Sequence, residues 1–174
     1  MGDYFNGILG PDVEIICLYP QEGEIIRERN DQSLVFLIRY GEFRLLLTGD
    51  LEEGGERRLM EASEPESYSE TFINKDTEEG LGPVTVLKVG HHGAATSSSM
   101  EFLEKISPKL AVLSYGRKNR YGHPAPDTVE RLQSAGARLL GTGECGAIEL
   151  RSDGRGLRIR KWILQTKVPD NLYF

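Results

Sequence analysis

Two adjacent histidines stand out among the residues that could carry chemistry. His91 and His92 are flanked by Gly90 and Gly93, and the chain has only three histidines. Neutral imidazole is a common ligand for borderline metal ions, and flanking glycines let backbone and ion approach closely. If the pair continued a strand, adjacent side chains would point to opposite faces, so at most one would enter a given site. The alternative interpretation is an exposed polar turn.

An aspartate follows an apolar segment earlier in the chain. Asp50 ends the sequence Leu46-Leu47-Thr48-Gly49-Asp50. A carboxylate in this position projects from the carboxyl edge of a sheet, where α/β proteins usually hold ligands. The alternative is that Asp50 caps a helix that begins at Leu51.

The third histidine lies beside the one concentrated group of cations. Arg117, Lys118 and Arg120 precede His123 in an otherwise acidic chain. Cations next to an imidazole suit a phosphate contact or a general acid, and the alternative is a charged turn. The hydroxyls of Thr96 and Ser97 belong to a cluster that caps the next helix, and they could also reach a phosphate.

These residues must be positioned by alternating strands and helices. The pattern predicts strands that end just before each polar segment, and a hairpin at Gly41-Glu42. Strands interleaved with helices indicate an α/β layered fold. The predicted strands are Val13–Leu18, Leu34–Tyr40, Phe43–Thr48, Val84–Val89, Leu110–Tyr115, Arg138–Leu140, Ala147–Arg151 and Leu157–Leu164, and the predicted helices are Leu51–Ala62, Met100–Ile106 and Asp127–Ser134.

Composition excludes several classes of protein. The chain has 174 residues, a formal charge of −6 and a pI near 5.2, which fits one domain and argues against broad, non-specific nucleic-acid binding. We expect neither a signal peptide nor a membrane span, because no apolar run is long enough. The glycines of Gly141–Gly146 precede a strand rather than a helix, so they are no dinucleotide fingerprint, and no GxSxG elbow occurs.

Taken together, the motifs resemble a known family. The order of LTGD, KVGHHG with its Thr/Ser cluster, GRKNRYGHP and ECGAIEL resembles the second half of metallo-β-lactamase-fold hydrolases, most closely the domain near the end of ComEC/Rec2-type competence proteins. The resemblance covers roughly residues 13–151. It implies half of a metallo-β-lactamase αββα sandwich, with a mixed sheet and flanking helices. We divide the chain into a lead-in at 1–12, the half-domain at 13–165 with a loop or insertion at 63–82, and a tail at 166–174.

The resemblance also implies roles for individual residues. Asp50 and His91 would be metal ligands, with His92 as the second choice. His92 and His123 would be catalytic residues, and His123 would lie either just outside the metal ligands or in contact with substrate. The implied ions are Zn²⁺ or Mn²⁺, two in a complete domain. Arg117, Lys118, Arg120, Thr96 and Ser97 would contact phosphate.

One departure from the family pattern limits what this chain does alone. No histidine precedes His91, so the early HxHxDH-type motif that supplies most ligands is absent. Two ligands are fewer than the three that a catalytic zinc takes from protein. We therefore expect this chain to bind metal weakly or not at all and to be inactive alone. We also expect an uncovered apolar sheet face, and hence a homodimer of this chain.

The resemblance places the chain in a larger machine. The implied parent is a membrane protein of DNA uptake, with this domain on the extracytoplasmic side, DNA as partner, and the missing N-terminal half of the domain beside it. The parent would be a metal-dependent phosphodiesterase or nuclease acting on the non-transported strand. The alternatives are a fragment of a stand-alone small-molecule hydrolase of the same fold and a catalytically inactive interaction module.

Overall fold

The computed structural model describes residues 12–21, 23–63 and 81–162. The predicted loop at 63–82 and tail at 166–174 lie almost entirely outside these residues, as does most of the lead-in. The elements agree with the predicted ones in type and nearly in bounds, apart from a one-turn helix at Thr142–Cys145 that was not predicted. They are β1 (Val13–Tyr19), β2 (Val35–Tyr40), β3 (Phe43–Leu47), α1 (Glu53–Ala62), β4 (Val86–Lys88), α2 (Met100–Ile106), β5 (Leu110–Leu113), α3 (Pro126–Ser134), β6 (Arg138–Gly141), α4 (Thr142–Cys145), β7 (Ala147–Ser152) and β8 (Leu157–Trp162).

Six strands form one mixed sheet in the order β1-β2-β3-β4-β5-β6. The first three strands are antiparallel neighbours, and β3 to β6 run parallel. Gly41 makes the tight turn between β2 and β3 with a φ of +56°. The parallel strands bring their carboxyl ends to one edge, which confirms the predicted α/β fold.

The helices cover one face of this sheet. Cross-strand pairing aligns a row of apolar side chains on that face, and it includes Leu37, Leu46, Leu87 and Ala111. This row packs against buried residues of α1, α2 and α3, among them Leu59, Phe102, Leu103, Ile106 and Leu132. The helical spacing of apolar residues thus supplies the main core.

A two-stranded sheet, β7-β8, packs on the opposite face. Ile148, Leu150, Leu157 and Ile159 contact a second buried cluster around Val86. The sheet face that we expected to be uncovered is therefore partly covered by the chain itself.

The part of that face nearest β1 has less cover. Ile15, Phe36, Ile38 and Leu47 share the face with Leu45, as the strand register shows. All four are only partly buried. The expected homodimer through this face stays a prediction.

Candidate functional site

Three loops meet at the carboxyl edge of the parallel strands. They follow β3, β4 and β5, and they carry Asp50, the histidine pair and His123 respectively. The His123 ring centroid lies 5.7 Å from that of His91 and 6.4 Å from that of His92. The structure thus brings together all three histidines, which are up to 32 positions apart in the sequence.

The histidine pair does not continue the strand. β4 ends at Lys88, and His91 and His92 both adopt left-handed backbone conformations, with φ of 45° and 58°. Strand alternation therefore does not apply to this pair, and it does not limit the site to one of the two side chains. Their ring centroids are 6.5 Å apart. Non-glycine residues in this region carry strain of about 1–3 kcal/mol each, which is typical of functional turns.

Contacts with neighbouring loops hold this turn. The His91 amide donates to the Gly49 carbonyl at 3.1 Å, and the Ala125 amide donates to the Gly93 carbonyl at 2.8 Å. A Cβ on Gly90 would lie 2.8 Å from the Leu51 carbonyl oxygen, so only glycine fits there. The flanking glycines therefore serve close packing between the loops.

His92 faces Asp50. Its Nε2 lies 3.8 Å from Oδ1 of Asp50, and its Nδ1 lies 2.7 Å from the Ser114 carbonyl oxygen. A carbonyl can only accept, so Nδ1 carries a proton. In the neutral ring, Nε2 would present its lone pair towards the carboxylate, whereas in the protonated ring it would donate to the carboxylate. The contacts therefore place His92, the second choice of the sequence, beside Asp50.

Asp50 is not the cap of α1. Glu52 is the N-cap residue, and the Asp50 amide donates to the Ser33 hydroxyl at 2.9 Å. The carboxylate at the start of the helix comes from Asp31, which accepts the Glu52 amide at 3.0 Å. The Asp50 side chain, 47% exposed, is left facing His92.

Glu52 is a site residue that sequence reasoning missed. Its Oε1 lies 3.0 Å from Nδ1 of His91 and accepts the Thr96 hydroxyl at 2.8 Å and the Asn30 amide at 3.2 Å. Burial opposes ionisation, but the hydrogen bonds from Thr96, Asn30 and His91 outweigh it and lower the pKa of Glu52. The only signal in the sequence was an acidic residue two positions after Asp50.

His123 is held from both sides. Asn119 accepts the His123 amide at 2.9 Å and donates to its carbonyl at 2.7 Å, and the Tyr121 ring stacks on the imidazole with centroids 5.9 Å apart. Burial, together with the nearby His91 and His92, lowers the pKa of His123, although Asp50 opposes the shift. His123 therefore favours its neutral form.

The predicted phosphate contacts separate into two groups. Arg117, Lys118 and Arg120 are exposed near His123, where Arg117 Nε donates to the Gly143 carbonyl and the Arg120 guanidinium lies over the Tyr121 ring. Ser97 is buried instead, and its hydroxyl bonds the Gly90 and Ala94 carbonyls.

Two side chains, the buried Glu56 and the partly buried Arg131, hold the loop between the histidines and α2 through hydrogen bonds to its backbone. The carboxylate of Glu56 accepts the amides of Ser98 and Ser99, while the Arg131 guanidinium donates to the carbonyls of Ala95, Ser97 and Ser98. Burial raises the pKa of Glu56. The sequence placed both residues on helices but gave no sign of this contact.

The donor set fits a metal ion only in part. Within residues 12–21, 23–63 and 81–162, no group of three or more His, Cys, Asp or Glu side chains is arranged to hold a metal ion. Asp50 and His92 do offer a carboxylate oxygen and an imidazole lone pair that face each other, and these donors suit Zn²⁺ or Mn²⁺. A site here needs further ligands.

Comparison with known proteins identifies relatives. The chain is 36% identical over 127 residues to ComE operon protein 3 of Bacillus subtilis, which covers 73% of this chain and 14% of that protein. It is 36% identical over 161 residues to competence protein ComA of Neisseria gonorrhoeae, covering 89% of this chain and 21% of the relative. Recombination protein 2 of Haemophilus influenzae is 31% identical over 126 residues, covering 72% of this chain and 14% of that protein. No family model matches the chain.

Proposed function

As a homologue of one segment of the ComEC/Rec2-type competence proteins, this chain belongs to that family, and we propose that it supplies part of a metal-assisted hydrolytic site that acts on DNA. The chain spans only 14–21% of the length of these relatives. The proposed reaction is hydrolysis of phosphodiester bonds in the strand that is not transported.

The arrangement of Asp50 and His92 carries this proposal. Whenever the His92 ring is neutral, the Ser114 carbonyl keeps its proton on Nδ1, so two acceptors, Nε2 of His92 and Oδ1 of Asp50, face each other across 3.8 Å. A cation between them would relieve this opposition, and the contact of His92 Nδ1 with the Ser114 carbonyl would then be the outer hydrogen bond that orients a metal-bound histidine. A proton on Nε2 relieves it equally well, so a measurement of bound metal decides between the two.

The ions that fit these donors are Zn²⁺ or Mn²⁺, with Asp50 and His92 as ligands and His91 as a third candidate. Bound divalent ions lower the pKa of water and stabilise the charge that develops on a phosphodiester. Glu52 orients the His91 ring through Nδ1. His123, neutral and adjacent to both histidines, is placed to accept or return a proton at its ring nitrogens.

The remaining ligands come, in this proposal, from the first half of the domain outside this chain. The partly buried side chains Ile15, Phe36, Ile38 and Leu47 give that half an apolar surface on which to pack. In its absence a second copy of this chain can cover the same surface.

The setting of the site follows the family. We place the domain on the extracytoplasmic side of a membrane parent. Within residues 12–21, 23–63 and 81–162, no helix is both long enough and apolar enough to cross a bilayer.

Metal content tests the proposal most directly. After loading with Zn²⁺ or Mn²⁺, elemental analysis should show bound metal in the wild-type chain, well below one ion per chain. Asp50→Ala and His92→Ala should abolish it, and the exposed Asp12→Ala should not. The same two variants in the full-length protein should lose cleavage of single-stranded DNA. Equal metal in all chains, or cleavage that survives Asp50→Ala in the full-length protein, would refute the proposal.

A further inference from the structure

The outward face of the β7-β8 hairpin carries a line of cations far along the chain from the histidines. The strand register sets Arg151 opposite Arg158, Glu149 opposite Arg160, and Ala147 opposite Trp162. The alternate residues Ile148, Leu150, Leu157 and Ile159 pack inward against the main sheet. Since successive side chains on a strand point to opposite faces, the two rows are separated cleanly. We call the outward row of Arg151, Arg158, Arg160 and Trp162 the basic ribbon.

The basic ribbon is positively charged although the chain as a whole carries −6. The expectation that the cations beside His123 are the one concentrated group is therefore wrong. Within the hairpin, Arg151, Arg155, Arg158, Arg160 and Lys161 stand against Glu149 and Asp153. Glu149 forms an ion pair with Arg151, with 2.6 Å between Oε1 of Glu149 and a terminal guanidinium nitrogen of Arg151. Arg158 and Arg160 lie next to each other on the same face of one strand and are both exposed.

An aromatic ring ends the row. The Arg160 guanidinium lies 3.9 Å from the centroid of the Trp162 ring, and Trp162 is still 50% exposed. An exposed tryptophan on a charged strand costs solubility without contributing to the core. Cations that follow a backbone, with an aromatic ring on which a base can stack, are the elements of a single-strand binding surface.

We propose that the basic ribbon binds single-stranded nucleic acid, with Arg158 and Arg160 on successive phosphates and a base stacked on Trp162. This takes its ligand class from the proposed function, but it uses none of the residues of the histidine site. An anionic membrane is the other polyanion that arginine and tryptophan recognise. The ribbon lacks the wide apolar face that inserts into a bilayer, because its aliphatic side chains point inward. Its charges also form a line, which matches the phosphates of a single nucleic-acid strand better than the flat surface of a membrane.

Binding of a labelled oligothymidine of about a dozen nucleotides tests the proposal. Fluorescence anisotropy is measured in EDTA at several salt concentrations, so that neither metal nor cleavage affects the result. Arg158→Gln/Arg160→Gln should weaken binding and reduce the slope of log K against log salt by about 1.4, since each lost phosphate contact on a single strand removes about 0.7. Trp162→Ala should weaken binding by about 5- to 150-fold.

The control keeps the same change in charge elsewhere. Arg57→Gln/Lys109→Gln removes two exposed cations from α1 and from the start of β5, and it should bind the oligonucleotide like the wild type. Far-UV circular dichroism verifies that every variant is folded. Binding of the same variants to phosphatidylglycerol vesicles is measured in parallel. Three results overturn the inference: unchanged oligonucleotide binding in the ribbon variants, an equal loss in the control, or a loss of vesicle binding alone. None of them touches the metal content on which the proposed function is judged.

Discussion

Replacing Asp31 should lower the free energy of unfolding by more than its position in a turn suggests. Asp31 is 3% exposed. Its Oδ1 accepts the Glu52 amide at 3.0 Å, and its Oδ2 accepts Arg58 at 2.8 Å. A carboxylate at this end of α1 also satisfies the helix dipole. Asp31 therefore serves both as a remote cap and as an ion-pair partner.

The magnitude of the effect follows from these two contacts. In Asp31→Ala the Glu52 amide loses its acceptor, and an unsatisfied buried donor costs about 1–3 kcal/mol. The lost pair with Arg58 counts for less than a fully buried one, because Arg58 is 29% exposed and lies within 3.6 Å of both Glu24 and Glu28. Together we expect a loss of about 3 kcal/mol, or roughly 6–12 °C in Tm for a chain of this size.

Urea unfolding followed by far-UV circular dichroism measures the loss. Asp31→Asn is the matched variant, since its amide oxygen can still accept the Glu52 amide while the charge is gone. It should lose only about 1–2 kcal/mol, the part due to the charge. If Asp31→Ala unfolds within about 1 kcal/mol of the wild type, Asp31 neither caps α1 nor anchors Arg58.

Two further predictions concern Gly143 and Glu52. In Gly143→Ala the new Cβ would clash with the Tyr115 ring, so urea unfolding should show a loss of about 1–3 kcal/mol, whereas Gly116→Ala, with nothing within 4 Å, should be nearly neutral. Hydrogen bonds lower the pKa of Glu52, so the stabilisation from its ionised form is complete above the ordinary glutamate pKa of about 4.3 and is lost as the pH falls through the lower folded value. The gap in urea midpoint between wild type and Glu52→Gln should narrow over this range, and a gap independent of pH would contradict the role of Glu52.

Apolar periodicity predicted most of the architecture, because each strand and helix buries one face. The row through Leu37, Leu46 and Leu87 is visible in the sequence as apolar segments of strand length. The segments that carry Asp50, the histidine pair and His123 were also predicted, since polar residues after buried strands meet at one edge in a parallel sheet.

The contacts that shape the site were out of reach of the sequence. The left-handed turn at His91 and His92 depends on the Gly49 carbonyl, which comes from the loop after another strand. Asp31 caps a helix that begins 22 positions later at Glu53. The one-turn helix α4 within Gly141–Gly146 was unexpected, and there Gly141 and Gly143 leave room for the Tyr115 ring. Each case depends on a partner distant in the chain.

β3 lies between the antiparallel and the parallel parts of the sheet, and these two parts differ in the length of the connections that must close during folding. The connection between β1 and β2 has 15 residues and that between β2 and β3 has two, whereas 38 residues, including α1, separate β3 from its parallel neighbour β4. Closing a longer loop costs more chain entropy before any contact repays it. The antiparallel strands β1, β2 and β3 can thus pair before β4 joins the sheet, at a stage when no histidine yet lies beside Asp50. Asp50 and the histidines come together only when the long connections between the parallel strands have closed. The site therefore forms late in folding.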